Sequence, residues 1–372
     1  MAPYRTPVFN AINDIEGVDL LVLYQSEECP IHEWASCRDG IRFPFEVLPA
    51  VATLGSGTRR LWITRGLTRR LWSFRPHAVV VGGCNQPVTY EMLAMRRVLG
   101  YEGWLWIEST LRDVRSWGRC REAVKRSAVR WADGVVVPGK AASEYVLTLG
   151  AEPDRIRLAP NAVDVGWLSS ASKDARRRRD AVRQRSGLDG VVFVCVGRMV
   201  KEKGVGDLVA AYHMVRERLQ ALGRSCSLLL VGSGPEVDLL RENAASAAEA
   251  GIVTLGFVQQ ADIPELLSAS DVMVFPTQSD PWGLVVNEAQ ACGLPVVATS
   301  VAGAVDDLLS STEAGIVVPP AAPAALADAM IELALNDSQR HAMGEAARRV
   351  SLRFTPELCA EGFVAVARGS RR

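Results

Sequence analysis

The chain has 372 residues, more than one hydrophobic core usually supports, so two domains are expected. Lys and Arg together number 42, as do Asp and Glu, and this balance gives no argument for nucleic-acid binding. No apolar stretch approaches the roughly 18 residues of a membrane span, and the first residues lack the apolar segment of a signal peptide. The eight cysteines show neither a C-x-x-C pair nor zinc-ligand spacing, which favours a reducing compartment. We therefore expect a cytoplasmic protein that at most contacts the inner membrane surface.

Short apolar runs alternate with longer amphipathic stretches along the whole chain. Most runs are β-branched or Leu-rich without polar alternation, which is typical of strands covered on both faces. The predicted strands are 18–24, 78–81, 104–107, 134–137 and 156–158, then 191–196, 228–231, 252–255, 272–275, 295–298 and 316–318. Strands alternating with helices in two successive sets predict an α/β protein with two Rossmann-like, doubly wound parallel-sheet domains.

A polar, Arg-rich segment separates the two sets of strands. It contains four consecutive arginines at 176–179, a charge run typical of a solvated helix face or a linker. The predicted organisation is an N-terminal domain at 1–170, a linker at 171–188, a C-terminal domain at 189–353 and a last helix within 354–372.

The segment after the predicted strand 272–275 combines two carboxylates with a helix start. The helix is predicted to begin near Leu284, with Glu288 one turn later on the same face and Asp280 in the preceding loop. Free backbone N–H groups at a helix N-terminus suit a phosphate, and carboxylates suit the hydroxyls of ribose or of a sugar. For either carboxylate alone, an acidic helix cap would be the preferred interpretation.

Two glycine-containing turns precede that segment. The first places Arg198 and Lys203 directly after a strand, at the edge of an open α/β sheet where ligands bind. Two cations suit a diphosphate, although ordinary surface cations on a turn give the same pattern. The second turn contains Gly232, Gly234 and Pro235, and its interest lies in its position between the other two motifs.

Together these segments resemble glycosyltransferase family 4, a family of retaining GT-B enzymes. The family's G-R-x4-K-G pattern matches 197–204, its G-x-G-P matches 232–235, and its E-A-x-A-x-G-x-P-V-V matches 288–297. Asp280 stands where the family has glutamate, one methylene shorter, which bears on the identity of the sugar. The resemblance implies a GT-B fold, with two Rossmann-like domains facing a cleft and the C-terminal helix crossing back to the first domain.

The resemblance also implies roles on the donor side. Arg198 and Lys203 would hold the diphosphate, Glu288 the ribose, and Asp280 the transferred sugar. The implied donor-binding set is Gly197, Arg198, Lys203, Gly232, Gly234, Pro235, Gly256, Phe257, Asp280, Gly283, Leu284, Val285 and Glu288. The expected reaction moves a hexose-type sugar from a UDP- or GDP-sugar to an unidentified acceptor in glycan, glycolipid or natural-product synthesis, with no metal and no cofactor.

The N-terminal half matches the family more loosely. Glu108 ends a predicted strand where many members have histidine, and is either a catalytic acceptor-side group or a structural carboxylate. The acceptor-side candidates are Arg5, Gly82, Gly83, Asn85, Gln86, Glu108 and Ser109. Alternatives are a GT-B sugar-nucleotide 2-epimerase and a non-catalytic nucleotide-sugar binder. An NAD enzyme is disfavoured because neither half has G-x-G-x-x-G after its first strand.

Two basic clusters in the N-terminal half have no part in these motifs. Six arginines at 59–75 alternate with Trp62, Leu67, Leu71 and Trp72 without a carboxylate, and seven Lys or Arg at 112–130 lie near Trp117. Basic residues interleaved with aromatics suit an anionic bilayer surface or an anionic acceptor. Two solvated helix faces with apolar residues in the core would give the same pattern.

Overall fold

The computed structural model describes residues 3–27, 38–55, 60–112, 119–242, 244–310 and 313–369. The chain divides into two compact units. Unit 1 comprises Met1–Leu111, Arg115–Val163 and Pro356–Arg372, and unit 2 comprises Arg112–Val114 and Asp164–Thr355. None of the helices in the described ranges is long and apolar enough to cross a membrane.

Unit 1 is built around a four-stranded parallel sheet. Its helices are α1 (Thr6–Asn13), α2 (Leu67–Phe74), α3 (Pro87–Leu99), α4 (Arg119–Trp131), α5 (Lys140–Thr148) and α16 (Pro356–Gly369). Its strands are β1 (Val22–Tyr24), β2 (Phe45–Val47), β3 (Ala50–Leu54), β4 (Leu61–Thr64), β5 (Ala78–Gly82), β6 (Glu102–Trp106), β7 (Gly134–Val137) and β8 (Ile156–Leu158). Strands β5 to β8 pair in chain order, β1 pairs with β2 in parallel, and β3 and β4 form an antiparallel hairpin.

Apolar side chains cover both faces of the unit 1 sheet. Leu93 of α3 and Leu105 of β6 are fully buried on one face. On the other face the Trp104 ring lies against Gly134, where a side chain would collide with it. The continuous apolar runs in the sequence therefore correspond to strands covered on two sides.

The last helix, α16, folds with unit 1. Its Phe363 ring packs edge-on against Trp106 with ring centroids 4.9 Å apart, and Cys359 is fully buried in a cluster with residues of α1 and with Ala159, which follows β8. A side chain at Gly362 would collide with the carbonyl oxygen of Leu158, so this glycine permits the close approach of α16 to β8. The chain thus leaves unit 1 after Val163 and returns to it at Pro356.

Unit 2 is a doubly wound α/β domain. Its strands are β9 (Val191–Val196), β10 (Cys226–Val231), β11 (Ile252–Gly256), β12 (Val272–Phe275), β13 (Val296–Thr299) and β14 (Gly315–Val318). Its helices are α6 (Val165–Arg176), α7 (Arg179–Arg185), α8 (Val205–Gln220), α9 (Pro235–Glu242), α10 (Ala244–Glu249), α11 (Ile263–Ala269), α12 (Leu284–Ala291), α13 (Val305–Leu308), α14 (Pro323–Leu335) and α15 (Asp337–Ser351).

The strand order of unit 2 defines where a ligand can bind. All six strands are parallel in the order β11-β10-β9-β12-β13-β14, the Rossmann order, which reverses between β9 and β12. At such a reversal the connections leave the sheet in opposite directions, and a crevice opens beyond the carboxyl ends of the two strands.

The segment predicted as a linker, 171–188, is mostly helical and belongs to unit 2. Arg179 of α7 donates to Asp271 and to the carbonyl of Ser268, both within 2.7 Å, and Arg183 donates to the second oxygen of Asp271 at 2.6 Å. These arginines neutralise a carboxylate and bind carbonyls near the end of α11. A charge run paired across a helix interface and a solvated run have the same composition, so the sequence did not distinguish them.

Candidate functional site

The two loops at the reversal point are joined to each other by hydrogen bonds. A short 3-10 helix, Lys201–Lys203, follows β9, and the carbonyl of Glu202 accepts from the backbone N–H of Gln278 at 2.8 Å. The Thr277 hydroxyl donates to the same carbonyl at 3.1 Å. The loop after β12 is therefore positioned by the loop after β9.

Glycines set the distance between the turns after β9 and β10. Gly232 has φ +146°, and a Cβ there would overlap the carbonyl oxygen of Gly197. A Cβ at Gly234 would likewise overlap the carbonyl of Met199, whose N–H donates to Ser233 at 2.8 Å. The two glycines thus permit backbone-to-backbone packing that supports the Arg198 turn, and Pro235 follows as the first residue of α9.

Lys203 and Asp280 form an ion pair at this point. The Lys203 ammonium donates to one carboxylate oxygen of Asp280, and each side chain is 16% exposed. The other Asp280 oxygen accepts from the backbone N–H of Trp282 at 3.0 Å. An ammonium has three N–H donors and a carboxylate about four acceptor positions, so both groups retain capacity for a ligand.

The loop carrying Asp280 is held from two further sides. The N–H of Gly303 donates to the Asp280 carbonyl at 3.0 Å, and a Cβ at Gly303 would overlap the carbonyl of Pro281. Trp282 is buried, and its indole N–H donates to Asn287 of α12 at 2.8 Å. These contacts position the loop in addition to the contacts made by the carboxylate of Asp280.

Helix α12 begins where the sequence predicted. Gly283 precedes it with φ +97°, and a Cβ there would lie 2.6 Å from the Phe275 ring. Leu284 and Val285 form its first turn, and their backbone N–H groups are at the free N-terminus of the helix.

Glu288 lies one turn into α12 and is surrounded by protein on most sides, with part of the side chain accessible. Burial raises the pKa of this carboxyl from 4.5 to about 7. Within the described ranges its carboxylate has no hydrogen-bond or ion-pair partner. A ligand that donates hydrogen bonds to Glu288 would therefore favour its ionised form.

The remaining donor-side residues lie on the same sheet edge. Arg198 is exposed and makes no ion pair with any described residue. Gly256 is the last residue of β11 and Phe257 follows it, two strands from β9, or about 10 Å away at the usual strand spacing. All donor-side candidates thus belong to unit 2, at or after the carboxyl ends of β9, β10, β11 and β12.

The acceptor-side candidate Arg5 is mostly engaged in contacts with other residues of the protein. Its guanidinium pairs with Glu108, donates to buried Asn161 at 2.7 Å and stacks 4.2 Å from the Trp106 ring centre. The Arg5 side chain is 10% exposed, whereas that of Glu108 is 35% exposed. Asn161 was not proposed as a site residue, although it lies in the segment that resembles the family's P-N-G-V-D.

The other acceptor-side candidates follow β5 and β6. Gln86 accepts from the N–H of Trp62 at 3.0 Å and donates to the Arg60 carbonyl at 3.0 Å, so its amide anchors β4. Gly82 and Gly83 have open space where a side chain would be. Asn85 is exposed and Ser109 half-buried, which leaves both accessible.

No group of three or more His, Cys, Asp or Glu in the described part of the chain is arranged to hold a metal ion. The expectation of a metal-independent reaction stays a prediction.

Comparison with known families identifies the fold and the family. Residues 177–350 match the family described as glycosyl transferases group 1, and residues 17–162 match the glycosyl transferase 4-like domain. An alpha-D-kanosaminyltransferase of Streptomyces kanamyceticus is 30% identical over 77% of this chain and 75% of its own length. The chain belongs to the group 1 glycosyltransferases.

Other relatives of this group 1 chain match over less of their length. A D-inositol 3-phosphate glycosyltransferase of Salinispora arenicola is 29% identical over 67% of this chain and 57% of its own. The chain spans little more than half the length of several relatives that bear this name.

Solved structures share the architecture at low sequence identity. Sucrose-phosphate synthase of Thermosynechococcus elongatus aligns with a TM-score of 0.68 and 22% identity, over 97% of this chain and 91% of its own. Anabaena HepE, solved with UDP and glucose, aligns with a TM-score of 0.63 and 20% identity, over 87% and 85%. The fold is GT-B, as the family resemblance implies.

Proposed function

We propose that this protein is a retaining glycosyltransferase that moves a hexose-type sugar from a UDP- or GDP-sugar to an acceptor. The observation that carries the proposal is the Lys203–Asp280 pair at the strand-order reversal of unit 2, beside the exposed Arg198. A cation and a carboxylate at one such point suit the diphosphate and the sugar hydroxyls of one donor. Support also comes from HepE, which is crystallised with UDP-glucose.

Arg198 and Lys203 have the proposed role of holding the donor diphosphate. As the bond to the sugar breaks, negative charge grows on the leaving nucleoside diphosphate, and two nearby cations stabilise it. The Lys203 ammonium already lies in place through Asp280, so it need not be ordered at the moment of reaction. Two such cations can supply the charge that a metal ion supplies elsewhere, and we propose that the reaction needs no metal or other cofactor.

The two carboxylates have separate proposed roles. Glu288 accepts hydrogen bonds from the ribose hydroxyls, and these bonds favour its ionised state. Below its pKa of about 7 the carboxyl must first lose its proton, which makes donor binding less favourable. Asp280 binds hydroxyls of the transferred sugar together with the N-terminal backbone of α12. Gly256 and Phe257 are proposed to lie beside the nucleobase.

Glu108 is the proposed acceptor-side group. About one-third of its side-chain surface is exposed and accessible to a ligand, while the ion pair with Arg5 holds it in place. A screen for the acceptor starts from D-inositol 3-phosphate, the compound in the name of several relatives. Location in the cytoplasm stays a prediction.

The proposal is tested with a panel of UDP- and GDP-sugars. A true donor raises the midpoint of thermal unfolding, because it binds the folded state, and Lys203→Ala should remove most of that rise. The matched control is Lys201→Ala, an exposed lysine of the same 3-10 helix. Proton NMR of the first product, or of sugar released by slow hydrolysis, then gives the anomeric configuration.

The outcomes separate the candidate functions. Product with the donor's configuration, formed equally with and without EDTA, supports a retaining, metal-independent transferase. An inverted product contradicts retention, and loss of activity with EDTA contradicts metal independence. Interconversion of the free UDP-sugar without an acceptor would identify a 2-epimerase. Protection from unfolding without any turnover would identify a non-catalytic binder.

A further inference from the structure

The β3–β4 hairpin and helix α2, which follows it, expose large apolar side chains and several arginines that make no ion pair with a described residue. Trp72 of α2 is 65% exposed, Val51 of β3 is 63% exposed and Leu54 of β3 is 54% exposed. We call these residues, together with Ile63, Arg65, Arg69 and Arg75, the α2 patch. Single apolar residues are ordinary on a surface, but several within one hairpin and the next helix are a reason to look for an interaction site.

The segment of chain that carries the α2 patch has charges of one sign, and the carboxylates that flank it, Glu46 and Glu91, each contact α2. The 44 residues from 47 to 90 contain six arginines and no aspartate or glutamate. Arg65, Arg69 and Arg75 are exposed, and none pairs with a carboxylate of a described residue. Arg70 differs because it pairs with Glu46 at 2.5 Å, and Arg59 lies outside the described residues.

The second basic cluster, at 112–130, does not form a comparable face in the part that the structure describes. Lys125 is buried and donates to the Tyr145 hydroxyl at 2.8 Å. Residues 113–118, including Trp117, lie outside the described residues. Only Arg126 and Arg130 of this cluster are described as exposed.

We propose that the α2 patch binds the surface of an anionic lipid bilayer. Arginines can reach the headgroup phosphates while Trp72 lies at headgroup level and Val51 and Leu54 enter the acyl boundary. A soluble anion would use the arginines but would leave the aliphatic side chains in water. Nucleic acid would do the same, since bases stack on aromatic and not on β-branched side chains. Membrane binding does not depend on the proposed sugar transfer.

Sedimentation with vesicles tests the proposal on the intact chain. The vesicles are phosphatidylcholine alone or with about 30% phosphatidylglycerol, at about 0.05 M and about 0.5 M salt. Wild-type protein should partition onto the anionic vesicles at low salt. Arg65→Gln, Arg69→Gln and Arg75→Gln combined should lower the partition coefficient about 100-fold, since each cation near the surface contributes about fivefold.

Two further variants separate specific binding from net charge. The control combines Arg177→Gln, Arg349→Gln and Arg353→Gln, three exposed arginines of unit 2, and should leave partitioning within about twofold of wild type. Trp72→Ala should lower partitioning several-fold at both salt concentrations, because apolar insertion is not screened. Thermal unfolding of every variant checks that it is folded.

Three results would overturn the proposal. Wild-type protein could stay in the supernatant with anionic vesicles at low salt. The unit 2 control could lose as much binding as the α2 patch variant. A single-stranded RNA or a phosphorylated sugar could bind through the same three arginines while vesicles do not, which would assign the patch to that soluble anion.

Discussion

The loops of unit 2 and unit 1 are built in opposite ways. In unit 2, a side chain at Gly232, Gly234 or Gly303 would collide with neighbouring backbone, so these turns have one possible packing. In unit 1, Gly82 and Gly83 face open space, and the polar side chains of Arg5 and Gln86 are used to hold the chain together. In unit 2 this backbone packing positions the turns that carry Arg198 and Lys203, the cations proposed to bind the diphosphate. At Gly82 and Gly83 a side chain would meet no other atoms, which suits variation in what these positions contact.

The largest effect is expected from adding one methyl group on the unit 2 side. Gly232→Ala places a Cβ on the carbonyl of Gly197 and requires a positive φ. We expect about 3–4 kcal/mol lower unfolding free energy and at least a 100-fold lower turnover, measured by urea unfolding and donor consumption.

Gly83→Ala is the matched substitution in unit 1. Its φ is +77°, but a Cβ there has no atom within 4 Å, so only about 1 kcal/mol is expected. Equal destabilisation by the two substitutions would contradict the contrast between the units.

The next effect concerns the cations. Lys203→Ala and Arg198→Ala should each lower turnover at saturating donor by about 10- to 1,000-fold, because each removes a charge from the leaving diphosphate. Lys201→Ala, on the same short helix and exposed, should stay within about twofold of wild type. Near-normal turnover of both variants would reject the assigned role.

Glu288 should make stability depend on pH. Its pKa is raised from 4.5 to about 7 in the folded state, so the folded protein retains a proton that the unfolded chain releases. This contribution is fully present below about pH 4.5 and is lost as pH rises through about 7. Glu288→Gln should therefore stabilise the protein more at pH 8 than at pH 5, by about 3 kcal/mol at most.

Glu217→Gln, an exposed carboxylate of α8, serves as the control and should show no such difference. A Glu288→Gln variant whose stability relative to wild type is the same at both pH values would show that the carboxyl is ordinarily solvated.

The smallest effect is expected for Gln86. Gln86→Ala removes two hydrogen bonds to the backbone of the β4 region and should cost about 1–2 kcal/mol of unfolding free energy. Asn85→Ala, at the exposed neighbour, should leave stability unchanged. If Gln86→Ala raised the KM for the acceptor without changing stability, the structural role would be wrong.

Every predicted strand corresponds to a strand of the structure. Buried strands such as β7, β10 and β12 leave apolar runs in the sequence, and the partly exposed β1 and β8 also have such runs. Of the predicted strand 18–24, only Val22–Tyr24 form β1, and β13 begins one residue after its predicted start. Strands β2, β3 and β4 were not predicted, since they are short and their residues are largely accessible. The start of α12 was predictable because Gly283 and the apolar residues after it are a local sequence signal for the beginning of a helix.

Tertiary pairing was not predictable from the sequence. Lys203 and Asp280 were assigned to different parts of the donor, and no local pattern indicates that they pair with each other across 77 residues. Likewise, in sequence Arg179 and Arg183 belong to a charged segment typical of a linker, and only the structure shows that both pair with Asp271. In sequence Gln86 and Asn85 are two neighbouring polar amides of similar character. Only the structure shows that Gln86 bonds to the backbone of the β4 region, whereas Asn85 is exposed.

The central claim is that Arg198 and Lys203 hold the diphosphate of a nucleotide-sugar donor. Titration calorimetry with UDP and with GDP tests it most directly on wild type, on the Arg198→Ala and Lys203→Ala double variant, and on Lys201→Ala. We expect wild type and the control to bind one of the two nucleotides with equal affinity. The double variant should bind it at least about 100-fold more weakly, since hydrogen bonds from charged groups contribute about 1.5–3 kcal/mol each. A double variant that binds as tightly as wild type, or a wild type that binds neither nucleotide, would contradict the claim.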